Sequence, residues 1–359
     1  MKREIYEKEY MKNLNYLKYI ALMLVIIGHS TNVYRENWVF QSDIHSNFFK
    51  WISIYVNSFH MQIFIFISGS VYCYCKKYKY AYNNFKILIL NKFKRLMIPY
   101  IIIGALYVIP IGIIIGIQTY QDGYQSSLIN LLLGYESGHL WFLMMSFILL
   151  VVFFQLEKFF IEKNKCIIIC LFFFVFQLLY SKLPRIFLIN KAMFYMIFFY
   201  SGYILFLKYE LISKIQFKLN SGKIIIISFL GINTLLAAKE IIPSIPIISS
   251  IIDIFISDII GMLGVIQMYS VVLYFKKIRL NPKIKYTIKY INKYNFQIYL
   301  LHEPIIFIIL YRFINYHSFF LVSICFMGSI IISIILINLY YLIKSKIQTI
   351  ALLFLYPKL

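Results

Sequence analysis

The sequence predicts an all-α fold, a bundle of about ten membrane-spanning helices with no soluble domain. Three observations lead there. Of the 359 residues 61% are hydrophobic and only 14% charged, with a mean hydropathy of +0.77, whereas a soluble domain carries about 25% charged residues. The apolar residues are gathered into runs close to the ~20 residues that cross a bilayer. The positive charge is divided unequally between the segments that join these runs.

Ten runs read as spans: 14–33, 51–75, 96–117, 138–157, 166–180, 192–208, 223–240, 247–275, 294–314 and 319–343. The fifth and sixth are the shortest. Residues 76–95 carry too many cations to span and read as a basic amphipathic helix on the membrane surface. With the N-terminus inside, 29 of the 36 Lys and Arg residues fall in inner segments and seven in outer ones. An even number of spans then puts both termini in the cytoplasm, and residues 1–359 form one membrane domain whose spans run from 13 to 343. No soluble appendage is expected after the last span. The net charge of +22 faces an anionic inner leaflet, so nucleic acid is not needed as a partner. The first run lacks a small-residue cleavage site and leads into other spans, so it is not a signal peptide. The Ile, Lys, Asn and Tyr bias fits an AT-rich, bacterial genome, and hence a bacterial plasma membrane.

The first span, NLNYLKYIALMLVIIGHSTNVY from Asn13 to Tyr34, carries Lys18 and His29. Eleven residues place them on one helix face, ~16 Å apart along the axis. Ionisable groups inside a span are costly and mark function by default. The second span brings Asn57, Ser58 and His60 into the outer half, and the fourth begins with Ser137, Gly138, His139 and Trp141. Three histidines from three helices thus share the outer half. The ninth span places His302 and Glu303 ~12 Å in from the inner side, where His302, before Pro304, can satisfy the backbone freed by a kink. Asp258 reads either as a transport carboxylate or as a helix–helix hydrogen bond. No two of these histidines share a helix at i, i+4, and no zinc-spaced Cys/His set occurs, so no metal is expected. The five cysteines read as packing residues.

Several of these segments, taken together, resemble the acyltransferase-3 family of integral membrane acyltransferases. Lys18 and His29 match its opening motif, a basic residue and a histidine with ten residues between. Ser58–Ser70 (SFHMQIFIFISGS) resembles "fhMplFfflSG". Lys92–Tyr100 (KFKRLMIPY) resembles "kR..rllvPy". Gly138–Leu143 (GHLWFL) resembles "hLWFL", and Ile298–Pro304 (IYLLHEP) resembles "iYLlH.p". The matches run in order from 13 to 304. Lys18 stands where the family usually has Arg, and Asn15 where it often has Asp; Lys keeps the charge but lacks the planar fork that grips phosphate.

The resemblance implies transfer of an acyl group, usually acetyl from acetyl-CoA, to a hydroxyl of an envelope glycan or lipid-linked sugar. The residues agree with it. Lys18, Lys92, Lys94, Arg95 and the 276–293 loop form a basic cytoplasmic mouth for the donor's phosphates, and a pantetheine arm covers the distance to His29. His29 can then take the hydroxyl proton. His60 or Asn57 supplies the oxyanion donor, while His139, Trp141 and His302 face the substrates. Direct transfer and an acyl-histidine route both remain open. A polysaccharide or lipid-linked sugar transporter is the alternative class and a sensor a third; no inverted repeat supports the former.

Overall fold

With no water in a bilayer core, each backbone N–H and C=O must be satisfied within the chain, and apolar runs of this length do so as helices. The computed structural model describes every residue except 1, 37, 80–81, 83, 161–165, 210–219, 242–245, 278–280 and 356–359. Among the described residues there is no strand. The loop cations at 163, 165, 214, 218 and 279, counted above toward the inner side, lie outside them.

The helices are α1 (Lys2–Thr31), α2 (Asn47–Asn57), α3 (His60–Lys79), α4 (Phe85–Ile115), α5 (Tyr124–Leu133), α6 (Trp141–Phe160) and α7 (Cys166–Leu178). They continue with α8 (Ile189–Leu207), α9 (Ser221–Ile241), α10 (Pro246–Lys277), α11 (Pro282–Lys293), α12 (Asn295–Phe313) and α13 (Ser318–Leu355). Among the described residues nine stretches are long and apolar enough to cross a membrane. The tenth expected span is α7, whose 13 residues rise only ~20 Å against a ~30 Å hydrocarbon core.

Residues 76–95 do not form one surface helix. Lys76, Lys77 and Lys79 end α3, and Phe85–Arg95 is the head of α4, which continues through the membrane. A basic head and an apolar body on one helix need no break, since the cations reach the interface on their own stems. Two π-turns, Phe93–Met97 and Gly104–Val108, precede Pro99 and Pro110 in α4. Each wide turn holds the carbonyl four residues before a proline, which a regular helix would drive into its ring.

The tightest crossing joins α3 to α8. A Cβ on Gly69 would collide with the carbonyl of Phe199, and one on Gly202 with the carbonyl of Phe66. Glycine lets the two backbones touch, which is how helices associate without a hydrophobic drive. Ser70 donates to the Gly202 carbonyl at 2.9 Å, and the Tyr10 hydroxyl lies 3.0 Å from Ser70 Oγ, so α1 is fastened to the same crossing. Asp258 of α10 accepts from Gln177 Nε2 of α7 at 2.9 Å, the helix–helix bond of the two readings above.

Candidate active site

Two helices set level by one hydrogen bond create the site. Asn295, at the head of α12, donates through Nδ2 to the Lys18 carbonyl of α1 at 3.1 Å. From that level α12 rises eight residues to Glu303, ~12 Å, and α1 rises eleven to His29, ~16 Å. Side chains close the difference: His29 Nδ1 lies 3.0 Å from Glu303 Oε1, at ion-pair distance though outside hydrogen-bond geometry. The sequence reading set His302 at a different depth from His29, but their rings are 5.2 Å apart, edge to face. His302 also lies 5.1 Å from the His139 ring. The three belong to one cluster.

His139 enters from the short turn Gly138–Leu140 that precedes α6. Its backbone N–H donates to Glu303 Oε2 at 2.9 Å, and its ring Nδ1 lies 2.8 Å from the same oxygen. Its Nε2 faces the Leu300 carbonyl at 3.1 Å, and the Tyr299 hydroxyl donates to its backbone carbonyl. Gly138 makes this approach possible: its φ is +49°, and a Cβ there would sit 3.3 Å from Glu303 Oε2. With both ring nitrogens on acceptors, His139 offers no free lone pair.

His302 Nδ1 donates to the Tyr299 carbonyl at 2.7 Å, which leaves Nε2 as its acceptor nitrogen, buried and unpartnered. His302 is 0% exposed. The His139 side chain is 1% exposed and that of His29 18%. Of the three rings, His29 alone combines a carboxylate behind Nδ1 with an Nε2 that solvent or substrate reaches. A carboxylate beside one ring nitrogen and access to the other are two features of an imidazole that takes up a proton. Beside the cluster, burial first and then the charges of Glu303 and Glu136 push the Tyr120 hydroxyl well above the ordinary phenol range, so it stays protonated at neutral pH.

The other expected residues take different places. His60 heads α3 just after a break in the backbone, and its Nδ1 donates to the Val56 carbonyl at 3.0 Å. The Asn57 amide donates to Asn32 Oδ1 at 2.8 Å and to the Ser53 carbonyl at 2.7 Å, fastening α2 to the end of α1. As arranged, the donor hydrogens of both candidates for the oxyanion are engaged. Trp141 turns from the cluster toward α8, under the Lys191 ammonium (4.4 Å) and against Tyr195. Lys18 is half-buried at the basic end and close enough to Arg95 to feel its charge; Lys94 and Arg95 are exposed. Among the described residues no trio of His, Cys, Asp or Glu converges as metal ligands.

Sequence reasoning missed the role of Glu303, and with it Tyr299 and Gly138. The available signal was a carboxylate next to a histidine in the middle of a span, where its cost demands a partner. A family model described as an acyltransferase domain matches residues 11–338. No curated protein and no solved structure matches the chain.

Proposed function

The chain belongs to the acyltransferase-3 family, and from that premise we propose that it moves an acetyl group from cytoplasmic acetyl-CoA to a hydroxyl of an envelope or exported carbohydrate. That it is a multi-pass membrane acyltransferase follows from the family and the apolar helices; donor, acyl group, acceptor and a bacterial plasma membrane with both termini inside are the proposal. Both termini on one side requires α7 and its flanking residues to complete a tenth crossing, which the charge split favours. Membership in an acyltransferase family favours an enzyme over the transporter and the sensor.

One observation carries the reading: Glu303 Oε1 lies 3.0 Å from His29 Nδ1 while the His29 side chain stays 18% exposed. In this mechanism the acceptor hydroxyl gives its proton to His29 Nε2 as its oxygen attacks the thioester carbonyl. The tetrahedral intermediate collapses, the C–S bond breaks, and the proton returns to the departing sulfur. The products are an O-acyl ester and free CoA thiol, with no proton gained or lost. Lys18, on the same face of α1 as His29, holds phosphate charge at the basic end. His302 and His139 keep Glu303 and His29 aligned.

The test uses purified protein in nanodiscs with acetyl-CoA and an envelope-glycan acceptor. Wild type is expected to form the ester, and His29→Gln to lose about 10²- to 10⁴-fold in rate with unchanged membrane insertion. A His29→Gln enzyme within a few-fold of wild type would remove His29 as the base. Mass spectrometry of envelope glycans with and without the gene tests the acceptor: loss of the mass of one acetyl group per modified sugar is expected.

A further inference from the structure

At the basic end, α11 and the Lys12–Lys18 stretch of α1 line an open pocket of about 510 Å³. Lys12 and Lys18 of α1 and Lys285, Lys289 and Lys293 of α11 line it. The three α11 lysines recur every four residues and so form one stripe. No acidic residue lines the pocket. Other lysines at this end have carboxylates: Lys76 pairs with Glu157, Lys77 with Glu7 and Lys276 with Glu9. Among the described residues none of the five pocket lysines has such a partner. Five like charges around one cavity repel one another until an anion enters.

The cavity is held to shape from below. Asn292 Nδ2 donates to the Asn15 carbonyl at 2.7 Å, and Asn295 Nδ2 to the Lys18 carbonyl at 3.1 Å, which fixes the stripe relative to Lys18. Asn292 Oδ1 is buried in the pocket wall with no donor. Lysine binds phosphate as a point charge and needs no fixed fork geometry.

We propose that this pocket is a binding site for a multiply charged phosphate ligand, gripped by the α11 lysine stripe opposite Lys18. Two sources carry that chemistry: the nucleotide end of a CoA-type donor and an anionic lipid headgroup. Only the first rests on the acetyl-CoA reading above.

The test is binding of adenosine 3′,5′-bisphosphate, which has nucleotide phosphates but no thioester, to protein in zwitterionic nanodiscs. The double variant Lys285→Ala/Lys289→Ala is expected to weaken binding about tenfold or more, and Lys285→Arg/Lys289→Arg to retain it, which separates charge from folding. Native mass spectrometry of the same proteins in phosphatidylglycerol nanodiscs counts retained lipid. Loss of lipid retention with unchanged bisphosphate binding supports the phosphate site and assigns it to a headgroup. No change in either overturns the proposal. His29→Gln should bind the bisphosphate like wild type, so failure of the pocket and failure of the base are read separately.

Discussion

Glu157 and Glu303 are both buried among these helices, and they are held in opposite ways. Glu157 of α6 is 1% exposed and Glu303 of α12 is 5% exposed. Glu157 receives the Tyr72 and Tyr203 hydroxyls, each at 2.9 Å, and the Lys76 ammonium. Phenols and an ammonium are already protonated at neutral pH and take up no further proton, so this cluster binds α3, α6 and α8 together. Glu303 receives imidazoles. A ring that turns one nitrogen to a carboxylate still has the other, and at His29 that nitrogen is accessible. The identity of the donors, more than the burial of the acid, separates a fastening from a site.

Substitutions can break this comparison. The largest effect is expected at Glu303→Gln, which keeps the shape and removes the charge behind His29. Turnover should fall about 10²-fold or more with little change in KM for acetyl-CoA. Glu157→Gln should do the reverse, lowering stability by about 1.5–3 kcal/mol in a detergent thermal-shift assay while the folded fraction keeps its turnover. If Glu157→Gln abolished turnover at normal stability, the two carboxylates would not differ in kind.

A smaller loss is expected at His302→Ala. Its ring packs edge-on against His29 and His139 but reaches no solvent, so activity should fall about tenfold through misplacement of its neighbours. Inactivity as deep as that of His29→Gln, with normal folding, would move the base to His302 Nε2. The smallest effect sharpens the other end of α1. Lys18→Ala should raise KM for acetyl-CoA about tenfold, the scale of one lost charge-assisted contact, and Lys18→Arg should leave it unchanged or lower. An unchanged KM in Lys18→Ala would detach Lys18 from the donor.

Membrane class, helical architecture and the family were legible in the chain because they depend on local composition and short spacings. Twenty apolar residues need a bilayer wherever they occur, and Lys18 and His29 share a face by helix geometry alone. His29 and His302 could be named as ionisable groups at cost. Their meeting could not, because it depends on where α12 starts against α1, a level fixed by Asn295 on the Lys18 carbonyl. The surface helix expected at 76–95 failed for a related reason. Charge density marks what reaches water, but not where one helix ends and the next begins.

What the sequence determined by itself is the set of chemical groups and the faces of the helices that carry them. The tertiary structure alone decided which of those groups are free to react. His139, His60 and Asn57 looked as available as His29, yet each turns its donors to a neighbouring carbonyl, amide or carboxylate. His29 is left with an acid behind it and an open nitrogen in front. A hydrogen bond is a relation between two partners, often hundreds of residues apart in the chain, so a lone pair is known to be free only when every group around it has been placed.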